Sequence, residues 1–263
     1  MLGAVRIAVV VPAYDEARWI GETLRTLPPY VDHVVVVDDG SCDATAAVVA
    51  GTPDARIALV RHARNLGVGA ALRTGYAHAF AAGADVVAVM AGDGQMHADD
   101  LAPLLAPVLA GDADYAKGDR LSHAQVRGTM PLGRWIGNHV LSALTRWATG
   151  LRVRDSQCGY TALARRAAER VPLERLWGGY GYPNDLLGRL AEAGARVRDV
   201  AVRPVYRGEA SGIRMRHALV VIPCVLVRVL GRRLARALRW RTATPGATHE
   251  RTVADATECA LGS

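Results

Sequence analysis

The chain has 263 residues, 51% of them hydrophobic and 22% charged, which is ample apolar side chain for a buried core and excludes disorder as its main state. Its 32 Lys and Arg against 25 Asp and Glu leave a net charge of +7, which invites nucleic acid, an anionic membrane face or phosphorylated small molecules without choosing among them. The four cysteines, Cys42, Cys158, Cys224 and Cys259, have neither CxxC nor Cys/His spacing, so neither a zinc site nor a disulfide scaffold is indicated and a reducing cytoplasm suits them. The first predicted element is a strand over 5–11, and its run RIAVVVP has none of the cleavage features of a signal peptide. Further apolar runs at 34–37, 57–60 and 86–90 predict strands separated by Ala- and Leu-rich helices. Strands this uniformly apolar are buried on both faces, so the expected fold is α/β: a Rossmann-like, mostly parallel sheet flanked by helices.

Past residue 120 the alternation loosens. Helices are predicted at 131–149 and 185–193, and strand-like pieces near 159–163 and 196–205. An arginine-rich apolar segment occupies 211–241, and the residues from 242 to 263 are small, polar and without period, as expected of a disordered tail. The best candidate for a membrane span, 218–230, is short and contains Arg228, so no span is expected. Combined with Arg232, Arg233, Arg236 and Arg239, the stretch 218–241 instead reads as a helix lying in a membrane interface, or as one packed on the sheet with a basic outer face. The basic residues lack interleaved aromatics, with Phe80 the sole phenylalanine, so nucleic-acid binding is not expected.

In an open α/β sheet, ligands bind at the carboxyl ends of the strands, and here those ends are rich in chemistry. Asp38 and Asp39 close an all-valine strand, and such a pair accepts hydrogen bonds from a base N–H and from ribose hydroxyls; a cap on the next helix is the plain alternative for Asp39 or Ser41. Asp93 and Gln95 follow another buried strand and offer hard oxygen donors suited to Mg²⁺ or Mn²⁺ clamping a diphosphate, although Gly92-Asp93-Gly94 also reads as a tight turn. Asp99 and Asp100 read better as the acidic first turn of a helix than as ligands.

The ordered set VVPAYDE, VVVVDDGSCDAT, RNLGVGAALRTGY, AGDGQMHADDL, KGDR and DSQCGY resembles the family 2 glycosyltransferases of GT-A fold, near the dolichyl- and polyprenyl-phosphate mannosyl- and glucosyltransferases. The resemblance implies a metal-dependent, inverting transfer from a UDP- or GDP-linked sugar to a polyprenyl phosphate. It implies a catalytic domain over 1–210, with a nucleotide-sugar half to about 120 and an acceptor half beyond. By position, Pro12, Tyr14 and Glu16 match the first nucleotide motif, Asp38 and Asp39 the second, and Asn65 and Gly92 join the donor set. Asp93 and Gln95 match the metal-binding pair, but Ala91 stands where the family usually has another acid. Arg120 and Arg134 match arginines facing phosphate and acceptor; Arg207 and Ser211 match a closing loop, where Gly212 replaces a lysine whose charge falls to Arg214.

A lipid phosphate is already anionic and needs no strong base, whereas a hydroxyl acceptor does. Asp185 is the candidate base in a rival reading, a soluble glycosyltransferase acting on a small-molecule hydroxyl, with a helix cap as its plain role. A nucleotide-sugar binder without catalysis is a second rival, motivated by Ala91. A dinucleotide enzyme is a weak third: Gly67-Val68-Gly69 has Leu72 where a third glycine belongs and does not follow the first strand. The expected location is the cytoplasm, extending to the inner face of its membrane, and the oligomeric state is left open.

Overall fold

The computed structural model of the protein describes residues 5–206 and 217–243. Strands β1 (Ile7–Ala13), β2 (His33–Asp38), β3 (Ile57–Arg61) and β4 (Val86–Val89) form a parallel set in the order β3-β2-β1-β4. The intervening helices are α1 (Ile20–Thr26), α2 (Thr45–Ala50) and α3 (Val68–Ala81). After α4 (Leu101–Leu109) come β5 (Tyr115–Asp119), the short α5 (Val126–Thr129), α6 (Leu132–Thr149), β6 (Thr161–Ala164), the short α7 (Arg165–Ala168), α8 (Tyr182–Glu192) and β7 (Val197–Ala201). A wider π-type turn over His217–Val221 runs into α9 (Ile222–Ala243).

The complete order is β3-β2-β1-β4-β6-β5-β7, with β6 antiparallel to both β4 and β5 and β7 parallel to β5. Alternate residues of β1 serve opposite faces. Ile7, Val9 and Val11 join Ile20, Leu24, Leu101 and Leu104 of α1 and α4, while Ala8 and Val10 join Leu72, Tyr76, Leu186 and Leu187 of α3 and α8. A third apolar cluster, away from the sheet, packs α6 on α9 through Leu141, Ala148, Ile222, Val225 and Val229.

The four predicted strands of the parallel set are present within a few residues of their expected limits. The sequence reading misses β5, because YAKGD contains Gly118, Asp119 and the chain's one lysine, all poor strand formers. Tertiary pairing overrides that propensity: Lys117 is fully buried and donates to the Cys158 carbonyl, and burial pushes its ammonium below the usual lysine range. Residues 242 and 243, expected in the tail, continue α9. The remainder of that expectation, and Arg207, Ser211 and Arg214, lie outside the described residues.

Candidate active site

The turns after β1 and β2 are stitched together by side-chain to backbone bonds. The Ser41 hydroxyl accepts from Asp15 N–H (3.0 Å), Thr45 Oγ1 accepts from Glu16 N–H (2.8 Å), and Asp15 Oδ1 accepts from Cys42 N–H (2.9 Å). Asp15 itself has φ 55, a left-handed conformation that aspartate tolerates better than most residues, and this sharp turn leaves Tyr14 44% exposed at the mouth of the strand edge. Ser41 is thereby spent on the first turn, not on a cap; the N-cap position of α2 is Ala44, which offers no side-chain cap.

Asp38 and Asp39, expected to act as a pair, are separated by the structure. Asp38 is completely buried beneath the turn, where it accepts from Ser41 N–H (2.9 Å) and from Arg61 Nε (2.9 Å), so the expectation that it faces a nucleotide is corrected. Asp39 borders the cleft and is held from behind: it accepts from Leu66 N–H (3.0 Å) and Gly67 N–H (2.7 Å), and its Oδ1 lies 2.7 Å from His62 Nδ1. The other ring nitrogen of His62 meets Thr74 Oγ1 at 2.9 Å, which anchors the ring to α3. Gly40, at φ +75, is required here, since a Cβ would come within 2.4 Å of the Arg64 backbone. Gly69 is needed for packing: a Cβ there would lie 1.9 Å from the Trp177 carbonyl oxygen.

Beyond β4 the chain makes a turn in which Asp93 Oδ1 accepts from Gln95 N–H at 2.9 Å and Gly94 takes φ 67. This turn, not strand alternation, brings both Asp93 and Gln95 to the cleft. Among the described residues no group of three or more His, Cys, Asp or Glu side chains gathers to hold a metal. One carboxylate and one amide do fit Mg²⁺ or Mn²⁺, which commonly complete their shell with water and ligand phosphate oxygens. Asp100, as expected, belongs to a helical turn; its carboxylate holds Arg203 at 2.9 Å.

On the far side, Arg120 at the end of β5 grips the buried Asp155 with two prongs, Nε to Oδ2 at 2.7 Å and Nη2 to Oδ1 at 3.1 Å. Burial alone would raise the Asp155 carboxyl, but the guanidinium outweighs it and holds the carboxyl below its usual range. Arg120 still lines the cleft, with Nη1 outside that pair. Arg134 of α6 also lines it, its guanidinium 4.8 Å from the centre of the Tyr206 ring.

Asp185 requires the second correction. Its side chain is only 3% exposed and does not border the cleft: Oδ2 accepts from Trp177 N–H (3.0 Å) and Arg189 Nε (2.9 Å), and Oδ1 from Arg232 Nη1 (2.9 Å). It is neither a base facing a ligand nor a helix cap, but the knot that ties α8 to α9. Its neighbour Asn184 donates to Thr145 Oγ1 at 2.6 Å and accepts from Gln157 Nε2 at 3.3 Å, joining α8 to α6.

Pro12, Tyr14, Glu16, Asp39, Asn65, Gly92, Asp93, Gln95, Arg120 and Arg134 therefore converge on one cleft of about 720 Å³ at the carboxyl edge of the sheet. The sequence reading did not single out Met96, Asn138, Tyr180, Tyr182 and Arg203, which complete it. Only Arg203 has a detectable signal, an arginine at the end of a predicted strand, and its partner Asp100 is 103 residues away.

A seven-stranded, mostly parallel sheet in this order, with its cleft at the strand ends, defines the GT-A fold. The same fold is found in glucosyl-3-phosphoglycerate synthase from Mycobacterium tuberculosis in complex with UDP, at a TM-score of 0.66 and 21% identity over 87% of this chain and 81% of that one. The same enzyme in complex with Mn²⁺, UDP and glucosyl-3-phosphoglycerate aligns at a TM-score of 0.60 and 22% identity, over 93% and 82%. Residues 8–171 match Glycosyl transferase family 2, and the chain belongs to that family. Its relatives include an uncharacterized protein of Methanocaldococcus jannaschii, 32% identical over 76% of this chain and 82% of that protein. The polyprenol monophosphomannose synthase of Mycolicibacterium smegmatis is 29% identical over 81% and 84%. The UDP-N-acetylglucosamine–dolichyl-phosphate N-acetylglucosaminyltransferase of Methanococcus voltae is 30% identical over 61% and 70%.

Proposed function

We propose that this family 2 glycosyltransferase moves a sugar from a UDP- or GDP-linked donor to a polyprenyl phosphate with inversion at the anomeric carbon. Tyr14, Asp39 and Asn65 form the nucleotide end of the cleft, and Asp93 and Gln95 the diphosphate end. A phosphate oxygen of the acceptor attacks the anomeric carbon as the bond to the donor diphosphate breaks, and the nucleoside diphosphate departs on the opposite face. Arg120, pinned by Asp155, presents fixed positive charge to the developing anion, and Arg134 attracts the incoming phosphate. A divalent cation held by Asp93 and Gln95 would supply further positive charge to the leaving group.

The observation that carries the choice of acceptor is the burial of Asp185 in its two arginine pairs, since the candidate base for a hydroxyl acceptor is spent on structure. A phosphate needs no such base. The dolichyl- and polyprenyl-phosphate activities named for two relatives point the same way. No described helix is long and apolar enough to cross a membrane, so contact with a lipid acceptor falls to peripheral surfaces, with 218–241 the first candidate.

The test is a panel of UDP- and GDP-sugars with Mg²⁺ or Mn²⁺, scoring nucleotide release with and without a short polyprenyl phosphate. Release that rises only with the lipid phosphate supports the proposal. Equal release with simple alcohols returns the reading to a hydroxyl acceptor, and binding without release under every condition leaves a nucleotide-sugar binder.

A further inference from the structure

Helix α6 carries two opposed faces. Asn138, Leu141, Ser142, Thr145, Ala148 and Thr149 are buried against the body of the protein. Leu132, Ile136, Val140, Leu144 and Trp147, spaced by four and then three residues, form a second stripe that is 41% to 71% exposed. Helix α9 repeats the arrangement. Ile222, Val225, Leu226 and Val229 are buried, while Val227, Leu234 and Leu238 are 54% to 70% exposed. Both helices turn their buried stripes toward the same cluster and the α8 layer behind it, so the two exposed stripes lie on the outer side of the pair. Apolar residues scattered singly on a surface need no explanation, but two neighbouring helices each with a continuous exposed stripe do.

The charge on these segments has one sign. Residues 126–150 and 217–243 contain no Asp or Glu, and Arg127, Arg146, Arg228, Arg233 and Arg236 are exposed on them. A second copy docked on this face would set arginines against arginines with no carboxylate to pair them. An anionic lipid surface meets both needs at once, taking the apolar stripes into the acyl boundary and the guanidinium groups among the headgroups.

We propose that α6 and α9 together form a docking face for an anionic bilayer, with α6 acting both as a wall of the cleft and as part of the lipid-facing surface. The inference deepens the lipid-phosphate reading above and extends the membrane contact from one helix to two. Arg134, Asn138 and Leu141 line the cleft from the same helix that offers Ile136 and Val140 outward, so docking carries that wall to headgroup level. A polyprenyl phosphate then reaches Arg134 without its chain leaving the bilayer.

The experiment is flotation of the full chain with vesicles of phosphatidylcholine alone or mixed with phosphatidylglycerol, both free of polyprenyl phosphate. Three proteins are compared: the parent chain, an α6 variant (Ile136→Ser, Val140→Ser, Trp147→Ser) and an α9 variant (Val227→Ser, Leu234→Ser, Leu238→Ser). These side chains are exposed, and thermal unfolding checks that each variant is folded. The parent chain floats with the mixed vesicles and less so in high salt, and each variant loses at least about tenfold in affinity. An α6 variant that binds like the parent overturns the two-helix face, as does equal binding to both vesicle types. A dimer in light scattering that the same substitutions dissolve assigns the face to a second copy and overturns it too. Donor binding is scored separately as a thermal shift with UDP- and GDP-sugars and Mn²⁺. If the parent floats but no sugar nucleotide binds, the enzymatic reading fails and the docking face stands.

Discussion

The two halves of the sheet are held together by different forces. From β1 to β4, parallel strands of valine and isoleucine sit between helices; β1 pairs with β2 and β2 with β3, each the next strand in the sequence, and β4 returns to pair with β1. From β5 to β7 the chain reverses through β6, and ion pairs between distant residues fix the layers: Arg120 with Asp155, Arg203 with Asp100, and Arg232 with Asp185, separated by 35, 103 and 47 positions. The first half is assembled mainly by its apolar pattern, with Arg61 on the buried Asp38 at its edge, whereas the second depends on buried carboxylates finding arginines far away in the chain. In the first half Asp39 and Asp93 reach the cleft while Asp38 is taken up by Ser41 and Arg61, and in the second the carboxylates of Asp155 and Asp185 are consumed by the fold.

Substitutions of acids on the two sides sharpen that contrast. Asp93→Ala should give the largest effect, a loss of roughly a thousandfold in transfer rate with thermal stability nearly unchanged, read by nucleotide release beside a melting curve. Retained turnover would remove Asp93 from the site. Asp185→Ala should do the reverse, costing about 3 kcal/mol of stability by leaving Arg189 and Arg232 without their carboxylate. Folded Asp185→Ala protein should still transfer sugar to a lipid phosphate at a rate close to that of the parent, and a selective loss of activity at unchanged stability would restore Asp185 as a base.

A smaller effect is expected at His62, which touches Asp39 rather than the cleft opening. His62→Ala should raise the donor KM by about tenfold and leave kcat within a factor of about two, because only the orientation of Asp39 is loosened. An equal fall in kcat would mean that the histidine acts later in the reaction. The smallest effect concerns Asp199, which burial, reinforced by nearby Asp119, pushes up to about 6; its Oδ1 has no hydrogen-bond partner among the described residues. Between its ordinary value of 3.8 and about 6 the folded chain keeps a proton that the unfolded chain has released, so this group makes stability fall as pH rises through that window. Asp199→Asn should flatten that part of the pH profile and gain about 1 kcal/mol at neutral pH, measured by denaturant melts at several pH values.

The same division explains what the sequence could reveal. Valine runs ending in Asp39 or shortly before Asp93 announce both strand and site, because period and position suffice to orient them. Asp38 looked equivalent to Asp39, and only the turn geometry, with Ser41 and Arg61 closing on it, tells them apart. β5 was invisible because its lysine and glycine gain their strand conformation from β6 and β7. Asp185 stands at a predicted helix start, but its partner Arg232 lies on a helix whose packing no local pattern encodes.

The proposed reaction in this cleft is delivery of a sugar from a nucleotide to a lipid phosphate. Its most direct measurement pairs a short polyprenyl phosphate with the matching free polyprenol, each offered with the preferred sugar nucleotide and Mn²⁺, and follows the glycosylated lipid by mass. Sugar is expected on the phosphate and none on the alcohol. Product on the alcohol at a comparable rate would contradict it.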